Sequence, residues 1–248
     1  MAASKVKQTV TLLESYRGRD KIMRTIQFTS ILTSGLINKV APANAVKLKT
    51  VAGQLGLCRV ILRLFDDIPM LAYNVFAGGL GQKEKDPLVR VLSLIKGCID
   101  QLFFPVEHIA WAAENKLIDI GSAKWWLISV SMWGISLCFD IMRCAVQLLK
   151  QHQKIKTVRK DLETEHPPSS DGHDADASEL KRLEEQQKTS KLQLLKDFCD
   201  LGCAIHWSAP GFLWAQKLPD SVLGLLGTMS SVLGFHAMLV QQRKQKTK

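Results

Sequence analysis

Few residues in this chain are placed to do chemistry. Glu107 and His108 are adjacent, and an acid beside an imidazole is the minimum for acid–base work. They fall in a stretch with helical periodicity, where neighbouring side chains point about 100° apart. No Ser/His/Asp order, metal-ligand spacing or phosphate loop accompanies them, so His108 reads as a surface or interfacial histidine and the chain as no enzyme. The six cysteines, at 58, 98, 138, 144, 199 and 203, include no CxxC pair. Cys199 and Cys203 share a helix face and read as core residues of a reduced protein. His166 and His173 stand beside carboxylates, where a solvated linker is a better reading than a metal site. Gly78-Gly79-Leu80-Gly81 lacks the spacing and the preceding strand of a nucleotide loop and reads as a turn. No catalytic residue, cofactor or metal is expected.

What remains is the placement of charge and apolar surface. The chain has 248 residues, 46% hydrophobic and 23% charged, with a net charge of +10. Seventeen Lys and Arg against ten Asp and Glu give residues 1–124 a surplus of +7. That balance favours an anionic partner. A nucleic acid is not expected, because the basic region carries no reading motif and few aromatics. The start, MAASKVKQTV, has no apolar core of a secretory signal.

Residues 1–124 read as an N-terminal amphipathic helical region, with no period-2 alternation and no hairpin signal. The first helix is predicted from Asp20, as its N-cap, to Leu36. A compact basic cluster of Arg17, Arg19, Lys21 and Arg24 lies at its start. The second, Gln54 to about Tyr73, is the clearest amphipathic segment. Arg59, Arg63, Asp66 and Asp67 fall on one narrow stripe, and Leu57, Ile61, Leu64, Phe65 and Ile68 lie on the broad apolar remainder. With two Arg against two Asp the stripe is charge-balanced, so any binding to a bilayer must be driven by apolar insertion. Packing into a helical bundle is equally open. The third helix starts at Asp86 as N-cap with Pro87 at the first helical position, and Pro105 should kink or break it.

Two segments can span a membrane. Trp125 to Phe139 is fifteen residues without a charge, and only Asp140 and Arg143 interrupt the run to Leu149. These two are three apart and close enough to pair. Ser221 to Val240 is twenty residues without a formal charge, followed by a basic tail at 241–248. It carries Gly224, Gly227, Thr228, Ser231 and Gly234, small residues whose spacing lets helices approach closely, so the segment is expected to mediate helix association. Between the spans, 150–217 reads as polar linker, charged helix and an uncharged stretch, 201–216, that could lie in the interface or span. Asp161 to Glu179, with seven acidic and no basic residues, reads as flexible. The fold class is therefore all-α: an amphipathic region (1–124), a span at 125–149, a linker and a second span at 218–240. Flanking charge does not fix the orientation.

Five stretches together resemble the peroxin-11 family of peroxisomal membrane proteins, and its gamma-type branch in particular. They are LESYRGRDKIMR from Leu13, LCRVILRLFDDIPML from Leu57, DQLFFPVEHIAWAAENK from Asp100, the pair Trp125-Trp126, and IHWSAPGFLWAQKLPDSVLGLLGTMSSVLG from Ile205. They are spread along nearly the whole chain in the expected order. The resemblance implies residence in the peroxisomal membrane with both ends in the cytosol, and elongation and protrusion of that membrane before fission. It also implies association with itself and with paralogues, and work with a tail-anchored fission adaptor and a dynamin-like GTPase. On this view Leu57, Ile61, Leu64, Phe65 and Ile68 insert into membrane lipid, and Arg59 and Arg63 sit at the headgroup boundary. The cluster Arg17, Arg19, Lys21 and Arg24 contacts lipid or a partner. A pore, with Asp140 and Arg143 as its polar groups, is the alternative.

Overall fold

The computed structural model describes residue 6, residues 10–164 and residues 170–246. Among them the only regular structure is helix. Six long helices dominate: α1 (Tyr16–Ile37), α2 (Pro42–Arg63), α4 (Pro87–Glu114), α5 (Ser122–Thr164), α6 (Ser170–His206) and α7 (Asp220–Lys246). A short α3 (Asp67–Ala72) runs into a π-helical turn at Tyr73–Ala77.

Local chemistry sets most boundaries. Ser15, not Asp20, caps α1: its hydroxyl accepts from the Gly18 amide at 3.1 Å, freeing Asp20 for other work. Asp86 caps α4 as expected, accepting from the Val89 amide at 3.0 Å with Pro87 behind it. α4 is not broken at Pro105 but continues to Glu114.

The single helix expected over 54–73 is interrupted. Pro69 has no amide proton and its ring clashes with the carbonyl four residues back. The chain tightens at 64–66, with Phe65 and Asp66 donating to carbonyls three residues back. α3 then restarts so that Pro69 lies in its first turn, where no donor is needed. The stretch 161–179 is also not a loop throughout. α5 runs to Thr164 and α6 starts at Ser170, tied together by Lys154–Glu179 (2.5 Å) and Arg159–Glu184 (2.9 Å). His166 lies outside the described residues, as does the His173 side chain.

The long helices are neighbours in the order α2, α1, α7, α6, α5, α4. Successive pairs are antiparallel. Gly35 faces Ser221 and Phe28 faces Gly227 across α1 and α7, and Asp100 meets Ser136 across α4 and α5. Arg63 on α2 reaches Glu107 on α4 and closes the succession into a ring. At ~1.5 Å per residue, the 43 residues of α5 extend over ~65 Å, well beyond a ~30 Å hydrocarbon core. α5 with its charged end is therefore far longer than a span requires. Residues 201–206 are the end of α6, which stops at His206, and 207–216 form a turn that exposes Trp207, Phe212, Leu213 and Trp214.

The packing is inverted relative to a water-soluble bundle. Asp197, Asp200, Glu107, Ser34, Ser230 and Ser231 are buried. Large apolar side chains such as Phe65, Ile68, Phe76, Val46, Leu102 and Leu149 are exposed. An interior of paired polar groups beneath an apolar exterior is the arrangement a hydrocarbon solvent favours. Two helices, at Ser122–Leu162 and Asp220–Val240, are long and apolar enough to cross a membrane.

Candidate membrane face and interior charge network

α2 carries the inversion most plainly. Its apolar residues face outward: Leu57 is 55% exposed, Phe65 just beyond it 77%, and Ile68 on α3 78%. Ile61 is exposed with them and Leu64 is half-buried. Ala45, Ala52 and Gly56 lie on the opposite, inner side, small enough for α1 to approach. Arg59 and Arg63 point inward as well. The Arg59 side chain is 12% exposed, its Nε donating to Asp20 at 2.8 Å and its Nη1 to Gln27 at 3.1 Å. Arg63 forks onto Glu107, with Nε to Oε2 at 2.7 Å and Nη2 to Oε1.

This corrects the placement of both arginines at a headgroup boundary. It also corrects the expected neutralisation by Asp66 and Asp67. Asp66 accepts from the Tyr16 hydroxyl at 2.8 Å, and Asp67 meets His108 Nδ1 at 3.2 Å. Asp66 lies half-buried and its acidity is weakened, first by that burial. Glu107 and His108 thus serve separate partners: one neutralises Arg63, the other joins α4 to α3. Neither arrangement places the pair on a common reacting atom.

The basic cluster of α1 divides by helix face. Arg17 and Arg19 are exposed. Lys21 and Arg24 turn toward the bundle, where Arg24 is held by groups of the chain itself rather than by the lipid or partner expected of it. Arg24 binds Asp200 on α6 at 2.5 Å and Ser230 on α7 at 3.2 Å, and Ser230 also donates to Asp200. Lys196 bridges Asp197 and Asp200 at 2.8 and 3.0 Å. Among the described residues no carboxylate lies at ion-pair distance from Lys21. Burial, with Arg24 beside it, lowers its pKa to about 8.

The small residues of α7 are used within the chain. A methyl group built on Gly227 would sit 1.9 Å from the Phe28 ring, and one on Gly224 would sit 2.2 Å from the Leu32 amide nitrogen. Ser231 is buried and donates to the Gly227 carbonyl at 2.6 Å; Gly234 lies near Lys21 and Lys196. Phe28, Cys203 and Leu223 form the apolar centre where α1, α6 and α7 meet, with Trp133 packed against it. Within the chain, the helix these small residues let approach is α1. Thr228 lies in the same helix, its hydroxyl buried without a hydrogen-bond partner.

Sequence reading missed Asp20, Glu107 and Asp200 as partners of the arginines. A signal was present for Glu107, which follows Phe103 and Phe104 at helical spacing on an otherwise apolar stripe, where an unpaired charge is costly.

An all-helical bundle with an apolar exterior, an ion-paired interior and two helices of spanning length is a membrane protein. The chain belongs to the peroxisomal biogenesis factor 11 (PEX11) family, whose model matches residues 6–239. It is 36% identical over 227 residues to peroxisomal membrane protein 11C of Homo sapiens, covering 90% of each chain. It is 35% identical over 224 residues to the protein of the same name from Mus musculus, covering 89% of each. No solved structure matches it. The family is that of a biogenesis factor of peroxisomes and not a known enzyme class.

Proposed function

We propose that this chain, held in the peroxisomal membrane with both termini in the cytosol, promotes protrusion, elongation and fission of that membrane without catalysing a reaction. The observation that carries the reading is the outward apolar surface of α2 and α3. Leu57, Ile61, Phe65 and Ile68 are exposed, while the arginines of the same segment are satisfied inside. An apolar helix face buried ~5–10 Å into one leaflet enlarges that leaflet and bends the bilayer. The two spans hold the wedge at the surface, so modest intrinsic affinity suffices. Arg17 and Arg19 are the exposed basic residues left to contact acidic lipid or a partner.

Association with further copies and with paralogues would align many wedges into a tubule, and a tail-anchored adaptor with a dynamin-like GTPase would then complete scission. The deciding experiment is peroxisome length in cells expressing the intact chain or Ile61→Asp/Phe65→Asp at equal abundance. Elongation lost in the double variant supports the wedge, and equal elongation by both overturns it.

A pore is the second reading, and one observation favours it. A polar cavity of about 460 Å³ between α4, α5 and α6 is lined by Lys96, Asp100, Asp140, Arg143 and Gln193. Asp140 pairs with Arg143 there as the spacing predicts, its carboxylate accepting from Nε at 2.9 Å. Conductance across a planar bilayer that vanishes with Asp140→Leu would move this reading to first place.

A further inference from the structure

A second cavity, of about 380 Å³, lies between α1, α2, α4 and α5 and has a different character. That volume is within the range of small-ligand pockets. Three guanidiniums face it, those of Arg24, Arg59 and Arg63, against a single lining carboxylate, Glu107. Asp20 and Asp200, which hold two of these arginines, balance their charge from behind the wall and are not part of the lining, so the lining itself is richer in guanidinium than in carboxylate. The donors are not exhausted. Arg24 Nε is buried with no acceptor among the described residues. Such convergent guanidinium donors suit a carboxylate. The remaining wall is aromatic, with Phe103, Trp126, Trp133 and Trp207, on which an aliphatic chain would lie.

We propose that this cavity binds a single-chain anionic amphiphile, a long-chain carboxylate. Its head would meet the three arginines and its chain would lie along the tryptophans. Such a ligand would join α1, α2, α4 and α5 and thereby set how firmly α2 is held to the bundle. The assignment is independent of the wedge reading, because binding is measured without membrane elongation.

The test uses the full chain in nanodiscs of neutral lipid and 9,10-dibromostearate, whose bromines quench tryptophan fluorescence on contact. Saturable quenching that unbrominated stearate reverses, and that the methyl ester of dibromostearate fails to produce, is the expected result. Arg59→Gln should weaken it about tenfold or more. Because Arg59 also pairs with Asp20, a second variant, Val60→Trp, fills the cavity while leaving every charge in place. It should abolish reversal by stearate while thermal unfolding stays unchanged. Quenching by acid and ester alike, rising without saturation, means partition into the bilayer and overturns the proposal. Reversal by phosphatidic acid but not by stearate assigns the cavity to a phospholipid headgroup and overturns it as well.

Discussion

Arg63 and Glu107, 44 positions apart, form a two-pronged ion pair that fastens the end of α2 to α4, with the Glu107 side chain only 4% exposed. The pair closes the ring of helices from α2 to α4, beside the contact of Asp67 with His108, and it turns a charged residue of the amphipathic segment inward. Burying two charges together is close to neutral, whereas stranding one of them is costly.

Arg63→Gln should therefore destabilise the chain by about 3–5 kcal/mol, since Glu107 is left buried and uncompensated. Arg63→Met/Glu107→Leu should recover most of that loss. Thermal unfolding in detergent of the two single variants and the double variant checks this. Additive losses would mean that the two residues do not act as a pair.

The close approach of α1 and α7 makes a second expectation. Gly227→Ala places a methyl group against the Phe28 ring and should cost at least 1–3 kcal/mol by overpacking. Phe28→Leu should relieve part of it in the double variant. Gly53→Ala, with nothing within 4 Å of the added methyl, should leave stability unchanged or slightly raised. Equal effects at Gly227 and Gly53 would show that α7 does not pack on α1 this way.

How much of this was legible in the sequence differs by element. The Asp86-Pro87 start of α4 and two helices long and apolar enough to cross a membrane are local signals, and both are present. The interruption at 64–66 was also written locally, in Pro69, but the strength of the amphipathic pattern on either side concealed it. The direction of α2 was not legible. Its two arginines find their carboxylates on α1 and α4, 39 and 44 positions away, and one helix seen alone offers only its own Asp66 and Asp67. The small residues of α7 announced a close neighbour without saying which helix it would be. Of the candidate site, the outward apolar residues Leu57, Ile61, Phe65 and Ile68 were readable and the fate of the charges was not.

Arg17 and Arg19 are separated functionally from Arg24 by the same reasoning. Arg17→Gln/Arg19→Gln should leave unfolding unchanged and lower binding to vesicles containing acidic lipid, with a weaker salt dependence than the intact chain. Arg24→Gln should act in the opposite sense. It removes the main partner of Asp200 and should lower stability with little direct effect on vesicle binding. Vesicle flotation at two salt concentrations, beside thermal unfolding, distinguishes the two.

Lys21 gives stability a pH dependence whose sign follows from its burial. Its folded-state pKa is lowered to about 8 from 10.5, by loss of hydration and by Arg24 beside it. Between these values the unfolded chain holds the proton and the folded chain does not, so this group's contribution to stability rises with pH from about 8 toward 10.5. Below about 8 both states are protonated and the cost of burying the cation is paid in full. Lys21→Met keeps the length of the side chain and removes the charge. It should raise the unfolding temperature at pH 7, and its advantage should shrink steadily as pH approaches 10. The gap between intact and variant chains, followed by circular dichroism across that range in one detergent, isolates Lys21 from other titrating groups. A gap that is constant or widens with pH would show that Lys21 keeps its proton in the folded chain.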